Sequence, residues 1–279
     1  MSNSNKEYNL VIDADSILYT SCYRNQSVNL KGKQQYTAEE IRKSFNLELA
    51  YMDFVSKISL IKSQVYKELE LDNTNTVNYE IFFSVKKTFR NKLTETYKAN
   101  RKPSTVYGIS ELKELIIYRI GATIDDIVEA DDMVMTRAYQ KDNVIIACID
   151  KDIYTHSPAP CINYKTWEWF PGLSQEQIEI NYWKQALQGD SVDGIKGAKG
   201  IGKVKANNLV DERNGFFNYY LFVEQFETEA EAILNMRLVR MDQYLNNKLE
   251  LWNKDTPINK CNKRIVIKEN NTEGFSDLS

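Results

Sequence analysis

The chain has 279 residues, enough for one large domain or two joined ones. With 42% hydrophobic and 27% charged residues and only 11 Gly and 5 Pro, its composition is globular and excludes collagen-like, low-complexity and mostly disordered classes. The 36 Lys and Arg against 39 Asp and Glu leave a net charge of −3, a balance that by itself argues against a nucleic-acid partner. No run of ~18 apolar residues occurs, and Met1 to Lys6 lacks the apolar core of a signal peptide, so a soluble, intracellular protein with no membrane partner is expected. Cys22, Cys148, Cys161 and Cys261 are far apart and form no C-x-x-C, which fits reduced thiols.

In chain order, Tyr8 to Asp13 is a short apolar run ending in acid, as a buried parallel strand does at its carboxyl edge. Apolar residues then recur at helical spacing from about Ile41 to Leu71, which predicts one long helix. A second strand is predicted at Tyr79 to Phe83, a polar stretch at 84–105, a helix from Glu111 to Ile120 and a strand from Val144 to Ile149. Strands alternating with helices predict an α/β domain over residues 1–174. Beyond it helical patterns dominate, through Tyr182 to Leu187 and then from about Phe216 to Trp252, so residues 175–268 are expected as a helical region. The tail 269–279 is polar and acidic, and no structure is forced on it.

Four segments place carboxylates where an α/β sheet keeps its active site, beyond the carboxyl ends of the strands. They are Asp13; Glu129, Asp131 and Asp132 at the start of a helix; Asp150 and Asp152, on one face if the strand continues; and Asp190 and Asp193, neighbours if helical. Any one of these reads as a helix cap or a solvated loop acid. Together they repel one another and call for strong positive charge, most simply Mg²⁺ or Mn²⁺. Two such ions ~4 Å apart suit in-line phosphodiester hydrolysis.

The polar stretch 84–105 carries seven Lys and Arg against the single acid Glu95, a local charge of +6, with Phe89 and Tyr97 interleaved. Arg90 and Tyr97 are therefore candidate nucleic-acid contacts, and a helix here sets Tyr97, Lys98 and Arg101 on one face. A second basic segment, Gly194 to Lys205, carries Lys196, Lys199, Lys203 and Lys205 and no acid. Its Gly197, Gly200 and Gly202 let backbone N–H groups approach phosphate. Gly197 to Lys203 also fits the nucleotide-binding pattern G-x-x-x-x-G-K. Val204 lacks the hydroxyl that pattern needs, and the preceding segment reads as helix rather than strand. A helix, a glycine hairpin and a second helix, at about 183–210, instead suit non-specific clamping of a DNA backbone. His156, the only histidine, follows no nucleophile motif.

In this order, the segments Val11 to Asp15, Phe89 to Lys102, Val128 to Asp132, Ile149 to Asp152 and Gly189 to Gly202 resemble the 5′-nuclease (flap endonuclease) family, most closely the phage 5′→3′ exonucleases. The resemblance implies a PIN-like fold, a central mostly parallel sheet flanked by helices, with a helix-hairpin-helix element in the helical region that follows. It implies metal-dependent cleavage of DNA with 5′ ends, flaps or nicks, RNA–DNA hybrids included, in the cytoplasm of a host cell. It assigns Asp13, Glu129, Asp131 and Asp132 to one metal and Asp150, Asp152, Asp190 and Asp193 to the second. Lys98 and Arg101 fall in the helical arch as catalytic groups, and a K⁺ ion is implied at the hairpin. One departure stands out: Phe82 to Val85 lacks the family's usual metal-ligand Asp, which leaves that place to water or to Asp15. A structure-selective DNA-binding protein with weak or lost cleavage is the alternative this departure suggests.

Overall fold

A computed structural model describes residues 6–27, 36–102, 104–212 and 217–256. Among these, a six-stranded sheet forms the centre. Its strands are β1 (Glu7–Asp13), β2 (Thr76–Phe83), β3 (Thr123–Ile124), β4 (Val144–Cys148), β5 (Cys161–Asn163) and β6 (Trp169–Phe170), in spatial order β3-β2-β1-β4-β5-β6. All pairings are parallel except β5 with β6. Strand β1 lies between β2 and β4, where the strand order reverses, and a crevice beyond the carboxyl ends follows from that topology.

The helices of the sheet region are α1 (Asp15–Arg24), α2 (Ala38–Ser44), α3 (Leu47–Glu68), α4 (Phe89–Leu93), α5 (Ile109–Ile120), α6 (Ala130–Gln140) and α7 (Lys151–Tyr154). Alternation along β1 sends Leu10 and Ile12 to one face, into a core with α1, α3 and α5, and Val11 to the other, into a core with α6. Both faces are covered, which is why β1 and β4 read as continuous apolar runs. The long helix predicted from Ile41 is interrupted. Phe45 takes an extended conformation, and Asn46 accepts a hydrogen bond from Leu49 N–H (3.0 Å) as the N-cap of a new helix, α3.

The remaining helices, α8 (Gln175–Gln188), α9 (Lys203–Asp211), α10 (Tyr219–Val223) and α11 (Glu229–Val239), share a third core that includes Tyr182, Phe222 and Trp252. Helical structure predicted to reach Trp252 ends at Val239. The chain then forms a small hairpin, β7 (Tyr244–Leu245) with β8 (Lys248–Leu249), and Tyr244 packs into the α6 side of the sheet. Cys22, Cys148 and Cys161 are buried free thiols. Cys261 and the acidic tail 269–279 lie outside the described residues. No helix among the described residues is long and apolar enough to cross a membrane.

Candidate active site

At the carboxyl edge of the sheet lies a cleft of about 1120 Å³. Eight carboxylates line it: Asp13, Asp15, Glu129, Asp131, Asp150, Asp152, Asp190 and Asp193. Five basic residues share its walls, among them Lys98 and Arg101. Each acid is placed by a short local device. Asp13 ends β1, and its carboxylate accepts from Asp15 N–H (3.3 Å). Glu129 is the N-cap of α6, and Asp131 stands in that helix's first turn, at its positive end. The strand β4 stops before Asp150, which caps α7 by accepting from Asp152 N–H (2.8 Å), so these two acids are set by a helix start rather than by strand alternation. Asp190 and Asp193 lie in a turn rather than a helix, and Asp190 Oδ1 accepts from Val192 N–H (2.8 Å).

Asp15 is the acid to which sequence reasoning gave least weight. Both of its oxygens accept from Ser84 N–H, at 3.2 and 3.1 Å, so it occupies the end of β2 where the chain itself carries no acid. Parallel register, with Asp13 opposite Phe82, makes this reach possible. The D-x-D spacing at a strand end is the signal that marks it.

Burial and mutual repulsion govern the protonation of the cleft. Burial, with Asp15 nearby, pushes Asp13 up to about 7. Asp131 is raised by burial and by Asp13, and Asp152 is pushed to about 6 by burial and Asp150. Glu129 goes the other way: burial opposes ionisation, but Arg90 and Lys98 hold its carboxyl below the usual range. Among the described residues no group of three or more His, Cys, Asp or Glu stands ready to hold a metal ion. Hard oxygen donors gathered in one cleft nevertheless match the chemistry of Mg²⁺ or Mn²⁺.

Three expected site residues are corrected by the structure. Asp132 does not face the cleft. It is fully buried and takes a bidentate ion pair from Arg90, at 2.6 and 2.7 Å. Arg90, expected on DNA, is 2% exposed and also donates to the Leu238 and Arg240 carbonyls. Tyr97, likewise expected on DNA, is buried and donates its hydroxyl to Glu129 (2.9 Å). The predicted helix through Tyr97 and Arg101 is absent: α4 ends at Leu93, and turns follow, with Lys98 at φ +54°. Lys98 and Arg101 nevertheless reach the cleft.

Beside the cleft, α8, a glycine hairpin and α9 follow in sequence, so the G-x-x-x-x-G-K match is preceded by helix and lacks its strand. Gly189 and Gly197 cross closely enough that a Cβ on either meets the other's backbone N at 2.5–2.6 Å. Lys196, Lys199, Gly200, Gly202, Lys203 and Lys205 are exposed.

Fold and cleft together define a PIN-like α/β protein with an acidic centre at the carboxyl edge of its sheet. No protein-family model matches the chain. Two proteins called 5′-3′ exonuclease, from Buchnera aphidicola of Schizaphis graminum and of Acyrthosiphon pisum, are 29% and 27% identical over 219 residues. These matches cover 71% and 68% of this chain and 76% and 73% of the relatives. The T5 5′-exonuclease with bound zinc superimposes with a TM-score of 0.56 at 19% identity, over 86% of this chain and 91% of that one. A T5 protein co-crystallised with metal ions gives 0.55 at 17%, again over 86% and 91%. In sequence the chain is similar to proteins called 5′-3′ exonuclease, and it shares its fold with the T5 5′-exonuclease.

Proposed function

We propose that the protein is a divalent-metal-dependent 5′→3′ exonuclease and 5′ flap endonuclease that hydrolyses DNA phosphodiesters. The observation that carries this reading is the convergence of eight carboxylates at the topological switch point, next to an exposed lysine-bearing hairpin. Relatives called 5′-3′ exonuclease and a like-folded exonuclease that binds divalent ions support it. Asp13, Asp15, Glu129 and Asp131 would hold one ion, and Asp150, Asp152, Asp190 and Asp193 the second. Mg²⁺ or Mn²⁺, when bound, supplies Lewis-acid chemistry at the scissile phosphate and at the attacking water.

The chain's own residues do the rest. Lys98 and Arg101 orient the scissile phosphate and offset its developing charge. Lys196, Lys199, Lys203 and Lys205, with the backbone N–H groups around Gly197, Gly200 and Gly202, grip the duplex backbone without reading bases. K⁺ at this hairpin and activity on RNA–DNA hybrids belong to the same reading.

The test is cleavage of a 5′-labelled duplex and a flap substrate by purified protein with Mg²⁺ or Mn²⁺. Release of 5′ fragments, abolished by EDTA and by Asp150→Ala, is expected. Tight binding of the flap with no turnover in either metal would instead favour a DNA-binding protein that has lost cleavage, a reading motivated by the lack of an acid at Ser84 and Val85.

A further inference from the structure

The cleft acids differ in what neutralises them. Asp13, Asp131 and Asp150 join no salt bridge among the described residues, whereas Glu129 and Asp193 are each held by a cation from one short segment, Glu129 with the buried Arg90 also at 3.6 Å. Lys98 Nζ lies 2.6 Å from Glu129 Oε1 and 3.8 Å from Asp193 Oδ2, and Arg101 Nη2 lies 2.6 Å from Asp193 Oδ1. The segment's backbone is fastened in that place. Lys98 N–H donates to the Asp193 carbonyl (2.8 Å), and Thr96 Oγ1 donates to the Gly194 carbonyl (3.3 Å). Gly194, at φ +73°, comes so close that a Cβ there would sit 2.1 Å from the Thr96 carbonyl oxygen. Residues 96–101 thus form a strap fastened to Asp193 and Gly194, from which Lys98 and Arg101 line the cleft.

We infer that Lys98 and Arg101 are the resident counter-ions of the metal-free cleft, and that a divalent cation reaching Glu129 and Asp193 displaces them. A +2 ion bound to Glu129 or Asp193 repels the +1 groups already on those carboxylates, so each cation weakens the other's hold. Displacement releases the ammonium and guanidinium groups for the scissile phosphate, so metal loading and exposure of the phosphate clamp become one linked equilibrium, reciprocal by necessity. The inference rests on the reading of the cleft as a divalent-metal centre.

The test is calorimetric titration of Mn²⁺ into the metal-stripped full-length protein and four variants, Lys98→Met, Lys98→Arg, Arg101→Met and Lys113→Met. Lys113 serves as the charge control. It lies near Asp15, but its ammonium donates to the Ser84 carbonyl (2.7 Å) and to no cleft carboxylate. Lys98→Met and Arg101→Met are expected to bind Mn²⁺ roughly five- to tenfold more tightly than wild type, with Lys98→Arg unchanged and Lys113→Met within about twofold. Arg101 is half exposed, so its variant carries the test should Lys98→Met not fold. Unchanged or weaker binding in these variants, or equal tightening in Lys113→Met, overturns the inference. Failure of wild type and all variants to bind Mn²⁺ overturns the metal-centre reading itself.

Discussion

Asp15 illustrates how a single carboxylate can serve a neighbouring strand. Its oxygens sit on Ser84 N–H, at the end of β2, while its own backbone N–H supports Asp13. Asp15→Asn keeps an oxygen to accept from Ser84 and removes only the charge. It should weaken Mn²⁺ binding by about tenfold with little change in the melting temperature. Adding Ser84→Asp to that variant should restore affinity, since the acid then occupies the same end of the cleft from the adjacent strand. Calorimetric titration of the single and double variants checks both statements, and a double variant no tighter than the single one would count against a ligand role for Asp15. Arg90 is the opposite case, a cation expected on DNA that the fold consumes. Arg90→Ala leaves Asp132 buried with the Glu129 N–H but without a cation, and an uncompensated charge of that kind costs about 3–5 kcal/mol. Urea unfolding should show this loss.

At the scale of elements, the glycine hairpin between α8 and α9 joins the cleft to the exposed lysines proposed above to hold DNA. Asp190 and Asp193 open it, and the exposed lysines close it. Neutralising Lys199 and Lys203 should therefore weaken duplex binding and reduce the slope of log affinity against log salt by roughly one to two, while Mn²⁺ affinity stays unchanged. Binding isotherms at several salt concentrations test it. The joint between sheet and helices rests on two buried guanidiniums. Arg90 reaches the carbonyls of Leu238 and Arg240, and Arg240 is held by Glu179 and Asp242 at 2.6–2.9 Å. Periodicity reports apolar faces, so these polar contacts across nearly 150 residues left no trace in the pattern of the chain.

For the molecule as a whole, stability should depend on pH through two buried groups of opposite sign. Burial lowers His156 to about 4 from an ordinary 6.5. The unfolded chain binds its proton more readily, so this contribution is complete above pH 6.5 and is lost as pH falls toward 4, about 3 kcal/mol in all. Burial raises Asp13 to about 7, so the folded state binds the extra proton between its ordinary 3.8 and that value. Stability from Asp13 is thus lost as pH rises through about 7 in metal-free protein. Bound divalent metal favours the ionised form and should remove that falling limb. Thermal melts across this pH range in EDTA and in saturating Mg²⁺ should diverge most on the alkaline side, and His156→Gln should flatten the acid side alone.

How much of this was legible in the chain follows from what each pattern encodes. Apolar runs ending in acid marked β1 and β4, because a strand covered on both faces is apolar throughout and its end must meet solvent. Seven of the eight cleft carboxylates could be named in advance: five stand at strand ends and helix starts, which are local features sharing one edge of a parallel sheet, while Asp190 and Asp193 were named from their spacing and lie in a turn. The net charge of −3 concealed that acids and lysines are segregated between cleft and hairpin. Only the tertiary structure decided which charges face outward. It buried Arg90 with Asp132, turned Tyr97 inward to Glu129, replaced the predicted arch helix with a strap, and brought Asp15 to β2. Those outcomes depend on which ions meet when distant segments pack, and burial then forces every charge to find a partner that sequence spacing does not specify.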